Sequence, residues 1–196
     1  MADVFISYSR KNADFVMRLY ETLERHGREV WLDLDSIPKG EEFNKMIFDG
    51  IDAADVVLFV VSRYSLTSEI CNTEIAYARS RNKKIIPVML EAMDDRNPDS
   101  EVFMAVLAGW YKKKYASQAQ ENWEVLRMIN WAIFTADRDF DTEFKILLQE
   151  IETDRPHVRQ HTRYIVAARD WKNAEYTPEP AEWGANRSGG KMAARI

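Results

Sequence analysis

One carboxylate falls where a helix should be apolar. The stretch SRYSLTSEICNTEIAYARS, Ser62 to Ser80, reads as one helix. Wound at about 100° per residue, it puts Ile70, Cys71, Ile75, Tyr77 and Ala78 on one arc. Glu69, Asn72, Thr73, Arg79 and Ser80 take the other arc, and Glu74 lands near the middle of the apolar one. A buried, unpaired carboxylate is costly. Such a group neutralises, finds a partner or faces a cavity. The structural alternative is a salt bridge or a helix-cap contact, and helical geometry leaves both readings open.

Other residues suited to chemistry gather where apolar runs end. Arg10 and Arg63 suit phosphate oxygens, and Tyr8 and Tyr64 suit a flat ring. The runs themselves define the elements that position these groups. DVFISYS (Asp3 to Ser9), REVWLD (Arg28 to Asp33), DVVLFVVS (Asp55 to Ser62) and KKIIPVML (Lys83 to Leu90) read as strands. The third is apolar throughout its centre, as expected of a strand covered on both faces. Pro87 puts the fourth near an edge or an irregularity. Phe15, Val16, Leu19 and Leu23 form a helical stripe with Asn12 as its cap and Gly27 as its stop. Phe43, Met46, Ile47 and Ile51 form a second stripe.

Strand and helix thus alternate over the first 90 residues, which predicts parallel strands joined by right-handed crossovers. INWAIF (Ile129 to Phe134) supplies a fifth strand, and Phe140 to Ile151 an amphipathic helix. Glu101 to Arg127 reads as helical in pieces, with YKKKYASQAQEN (Tyr111 to Asn122) as an exposed break. The expected fold is α/β, flavodoxin-like and doubly wound: a five-stranded parallel sheet with helices on both faces. It is expected over residues 1–153, followed by a C-terminal helical extension at 154–172 and a loosely ordered tail at 173–196.

In such a sheet ligands bind beyond the carboxyl ends of the strands. Those ends carry Ser7, Tyr8, Ser9 and Arg10, then Asp33 and Asp35, then Ser62, Arg63, Tyr64 and Ser65, then Glu91. Glu74 belongs beneath this rim, against the sheet. Each rim residue has an ordinary reading as solvated loop.

Bulk properties narrow the function classes. Hydrophobic residues at 46% and charged residues at 30% place the chain among soluble globular proteins. A net charge of −5 argues against nucleic acid as the main partner. From Arg155 onward 8 basic and 4 acidic residues give about +4, leaving about −9 on the rest. The single cysteine, Cys71, excludes an internal disulfide and points to the cytoplasm. No signal peptide is read at the N-terminus, and the longest apolar run, Val56 to Val61, is too short to span a bilayer.

Three stretches together resemble the Toll/interleukin-1 receptor (TIR) domain family. DVFISYSRKNADFVMRLYETLERHGREVWLD resembles its opening, and LDSIPKGEEF the loop after its second strand. SRYSLTSEICNTEIAYA resembles its third motif, with Ser65, Ser68, Cys71 and Glu74 recurring every three residues. The resemblance implies an activity found in bacterial, plant and some animal members: cleavage of NAD+ to nicotinamide and ADP-ribose or a cyclic variant. It implies Glu74 as the catalytic group. It places Ser7, Tyr8, Asp33, Ile37 and Gly40 around the substrate, with Ser68 and Cys71 flanking Glu74; Arg10 joins them from its place on the rim. Many active relatives carry Trp just before the Cys, where this chain has Ile70. The resemblance further implies self-association, a link to a sensor domain or protein, and a role in bacterial antiviral defence. NAD+ is then a substrate, and no cofactor is expected.

The chemistry suits a lone carboxylate. Breaking the nicotinamide–ribose bond passes through an oxocarbenium-like state. Nicotinamide leaves neutral, so no general acid is required, and one carboxylate stabilises the positive ribose more strongly beside a low-dielectric wall. Rival folds lack their marks. A receiver domain needs acidic residues where SYS and VVS stand, a flavodoxin needs a phosphate loop that SYSRKN does not provide, and G-x-G-x-x-G is absent. His157 and His161 lie four apart with no third ligand evident, so no metal site is expected. Lys112 to Lys114 read as solvated. The serious rival is a non-catalytic TIR–TIR adaptor working through the Ile37–Gly40 loop.

Overall fold

The computed structural model describes residues 3–32, 41–91 and 116–153. Five strands form one sheet: β1 (Val4–Ser7), β2 (Val30–Leu32), β3 (Val56–Val61), β4 (Lys84–Met89) and β5 (Ala132–Ile133). Their order is β2-β1-β3-β4-β5, and every pairing is parallel. The described helices are α1 (Ala13–Arg25), α2 (Glu41–Ala53), α3 (Arg63–Leu66), α4 (Glu69–Ser80), α5 (Ala116–Leu126) and α6 (Phe140–Glu152). The predicted α/β architecture is therefore present. The helical extension at 154–172 and the tail at 173–196 lie outside the described residues.

Alternation along the strands makes two cores. Val4 and Ile6 of β1, with Leu58 and Val60 of β3, face Val16, Leu19 and Leu23 of α1 and Phe144 and Leu147 of α6. Phe5, Val57, Phe59 and Val61 face Ile47 and Ile51 of α2, Cys71, Ile75 and Ala78 of α4, and Trp123 and Leu126 of α5. Trp31 of β2 stacks on Phe5 at 4.9 Å between centroids. Gly50 permits this from α2, because a Cβ there would stand 2.9 Å from the Trp31 ring.

Several local readings need correction. Asn12 makes no side-chain cap to α1; a short 3₁₀ turn, Arg10–Asn12, precedes the helix with Ser9 as its cap. Asn12 instead accepts a hydrogen bond from the Ser62 hydroxyl at 2.7 Å. Gly27 does end α1, at φ 76°. Met46, assigned to the apolar stripe of α2, is 45% exposed, while Ile47 and Ile51 are buried. Pro87 fits the edge expectation, because β4 meets β5 only from Val88 onward. The exposed break was drawn too far: Ala116–Leu126 is helix, with Asn122 buried. Residues 111–115 lie outside the described ones.

The paired lysines that open KKIIPVML cap two helices. Successive strand residues point to opposite faces. Lys83 reaches the end of α2, donating to the carbonyls of Asp52 and Ala54 at 2.7 and 2.8 Å. Lys84, itself buried, donates to the carbonyls of Glu150 and Thr153 at the end of α6. A cation there satisfies carbonyls that have no partner within the helix and complements its dipole. We expect Lys84→Met to lower stability by about 1–2 kcal/mol in urea unfolding. A loss below about 0.3 kcal/mol would show that the helix end does not depend on this ammonium.

Candidate active site

Strand parity brings the intruding carboxylate its partner. Ser7 closes β1 two residues after Phe5, so it points to the same face, toward α4. Glu74 lies on the buried side of α4 and is 3% exposed. The Ser7 hydroxyl donates to Glu74 Oε2, and both groups are buried. One turn earlier on α4, Cys71 Sγ donates to the Tyr8 carbonyl at 3.3 Å. The last strand residue and the next are thus tied to consecutive turns of one helix.

Burial, and then the charge of Glu74, push the Cys71 thiol up to about 12, against the opposing hydrogen bonds from Ser68 and Ser7. The thiol stays protonated at neutral pH and acts as a donor. Because the thiolate is the reactive form, a thiol reagent at pH 8 should label Cys71 in the folded protein at least about 100-fold more slowly than in the unfolded chain. Labelling at the unfolded rate would contradict this environment.

The stretch from Ser62 to Ser80, between β3 and β4, is not one helix but two, α3 and α4. Ser62 and Ser65 cap each other at the start of α3: the Ser65 N–H donates to Ser62 Oγ at 3.2 Å, and the Ser62 N–H to Ser65 Oγ at 2.9 Å. The chain then breaks, and Ser68 caps α4 by accepting the Cys71 N–H at 3.4 Å. Asn72 seals the break. Its Nδ2 donates to the carbonyls of Leu66 and Ser68, both at 2.8 Å. Asn122 of α5 then donates to the Asn72 backbone and side-chain oxygens at 2.8 and 3.1 Å. Arg79 completes the tie, donating to Asn122 Oδ1 at 2.7 Å. At the far end α4 closes in a Schellman motif, with Asn82 at φ 54°.

Of the serine, serine, cysteine and glutamate repeating at three-residue spacing, Ser65 and Ser68 serve the backbone, Cys71 ties α4 to β1, and Glu74 stands at the rim beside Ser7. Two members of the helical wheel change sides. Ile70 is 38% exposed, not core, and Asn72 is buried, not on the solvated arc. Tyr77 is half-buried and stacks on Phe48 at 4.1 Å. Of the rim residues, Tyr8 is half-buried and Arg10 and Tyr64 are exposed. Arg63 is paired with Glu91 at 2.9 Å, which joins two of the predicted rim residues across the ends of β3 and β4. Asp33, Asp35, Ile37 and Gly40 lie outside the described residues, as do His157 and His161.

Sequence reasoning missed Asn72 and Asn122. It also missed a concavity of about 340 Å³ at the carboxyl ends of β4 and β5, whose wall includes Met89, Trp123, Trp131 and Ile133. That cavity shares no lining residue with the Ser7–Glu74 pair. No helix among the described residues is long and apolar enough to cross a membrane.

Sheet order, parallel pairing and helices on both faces define a doubly wound α/β domain. The particular family follows from its sequence profile: the TIR domain profile matches residues 4–115, more than half of the chain. The chain belongs to the TIR domain family. No curated protein matches it. Among solved structures, it is similar to the TIR domains of the activated Roq1 resistosome, which directly recognises the pathogen effector XopQ. The TM-score is 0.63 at 17% identity, over 77% of this chain and 99% of that one. It is also similar to the TIR domain of the Toll-related receptor TRR-2 from Hydra magnipapillata, with a TM-score of 0.55 at 19% identity, over 78% and 100%. At these identities the likeness is one of fold.

Proposed function

We propose that this TIR domain is an NAD+ hydrolase that cleaves the nicotinamide–ribose bond, releasing nicotinamide and ADP-ribose or a cyclic variant. The observation that carries this reading is Glu74: a carboxylate held under the strand rim by Ser7, at the position the family motif assigns to catalysis. Its role is to stabilise the positive charge that builds on the ribose as neutral nicotinamide departs. The exposed Arg10 is assigned the phosphate end, and Tyr8, whose ring packs against the α1 and α6 side of the sheet, the edge of the rim. The family motif assigns Asp33, Ile37 and Gly40 to the substrate as well, and Ser68 and Cys71 fix the helix that carries Glu74.

At 3% exposure the carboxylate is covered in the single chain, so turnover requires the rim to open. Self-association is the proposed trigger, which fits a cytoplasmic switch in bacterial antiviral defence that a sensor domain or protein fires. The test follows from the leaving group. Concentrated or crowded protein releases nicotinamide from NAD+ but leaves NADH intact, because only the oxidised ring departs as a neutral molecule. Absence of release at every protein concentration overturns the enzyme reading.

The rival reading, a non-catalytic TIR–TIR adaptor, draws on one surface. Met128 is 56% exposed, next in the chain to two residues that line the Trp123–Trp131 cavity. The two readings combine where catalysis needs assembly.

A further inference from the structure

We infer that Ser7 is a positioning residue for Glu74, holding the carboxylate from behind while taking no contact with the substrate; the inference rests on the hydrolase reading above. Three observations carry it. First, Ser7 is 1% exposed, so its hydroxyl lies in the protein interior, and that hydroxyl donates to Glu74 Oε2. Second, Ser7 belongs to a strand with neighbours on both sides: β1 pairs with β2 and with β3, and Ser7 itself is in register with Phe59. A hydroxyl anchored there moves less than one carried on a loop. Third, the bond is one of two. Cys71, one turn before Glu74, donates to the carbonyl of Tyr8, the residue after Ser7. Two bonds, at the last residue of β1 and the one after it, to consecutive turns of α4 fix both how deeply the helix sits and how it is rotated about its axis.

The chemistry gives this a purpose. A carboxylate that stabilises a developing cation is effective only if it is already oriented when the charge appears. A Glu side chain has three rotatable bonds, and the Ser7 hydroxyl removes that freedom at one oxygen. The bond orients the carboxylate before the positive charge develops, and that orientation matters most in the transition state. Losing it should therefore cost turnover through disorder of the carboxylate, with little change in how NAD+ binds.

Two measurements on the full chain test this. The first is a double-mutant cycle in urea unfolding with Ser7→Ala and Glu74→Leu. The effect of Ser7→Ala on the unfolding constant should shrink at least about fivefold once Glu74 is Leu. Independent effects would mean that the hydrogen bond is not made in solution and would overturn the inference. The second is steady-state NAD+ cleavage. Ser7→Ala should lower kcat about tenfold with KM within about twofold, and Ser7→Thr, which keeps the hydroxyl, should restore most of the loss. A rise in KM at unchanged kcat would instead make Ser7 a substrate contact. If Ser7→Ala does not fold, Ser7→Cys, a weaker donor of similar size, takes its place in both arms. Coupling in the cycle together with no turnover by the wild-type chain would sink the hydrolase reading, and positioning with it, leaving Ser7 as a structural tie. Turnover without coupling would sink the positioning role alone.

Discussion

Glu74→Gln will fold normally and will cleave NAD+ at least about 10²–10³-fold more slowly than the wild-type chain. Glutamine keeps the length and shape of glutamate, and its carbonyl oxygen can still accept the Ser7 hydroxyl that Oε2 accepts. What it lacks is the negative charge. If Glu74 stabilises a cationic ribose, that charge is the catalytic quantity, and its loss costs about 3–4 kcal/mol of transition-state stabilisation. If Glu74 is only a strut between α4 and β1, the isostere should turn over as well as the wild type. Stability separates the cases further. Removing a charge from a buried position while keeping its hydrogen bond should leave Tm within about 3 °C. A large fall in Tm would show that the charge itself holds the fold.

The second large effect is on stability. Asn72→Ala should destabilise the domain by about 3 kcal/mol, a fall in Tm of about 6–12 °C. The Asn72 amide serves the Leu66 and Ser68 carbonyls at the break between α3 and α4, and its oxygens take both hydrogen bonds from Asn122. Alanine removes the donors where the chain is buried and bent, and the carbonyls keep their desolvation cost. Asn122→Ala acts on the same network, so the double variant should lose less than the sum of the two singles. Full additivity, or a loss below about 1 kcal/mol for Asn72→Ala, would contradict the network as described.

Much of the frame was legible because it depends on period. Apolar runs at Val56–Val61 and Lys84–Met89 read as strands, and the alternation of strand and helix fixed parallel pairing. Helical geometry likewise put Glu74 beneath the rim, against the sheet, but its pairing with Ser7 emerged only from the fold. What stayed illegible depends on neighbours distant in sequence. Asn72 and Asn122 are one error seen from two ends. Ala116–Leu126 was partly read as an exposed break, so nothing appeared to cover the polar arc of α4, and the helix that does cover it carries Asn122. Ile70 was assigned to the core by its angle on the wheel, yet it sits in the first turn of α4 and stays 38% exposed. The break at Ser68 had a local signal, a serine directly before a glutamate at a helix start, hidden by the apparent continuity of the stripe. The Arg63–Glu91 pair also needed the fold, since only the pairing of β3 with β4 brings those strand ends side by side.

The most direct test is nicotinamide release from NAD+ by wild-type and Glu74→Gln protein, each followed over a series of protein concentrations into the crowded range. The account predicts release by the wild-type chain that rises more steeply than in proportion to protein, and a variant whose trace stays near the buffer control. Equal release by the two proteins, or none from the wild type at any concentration, would contradict it.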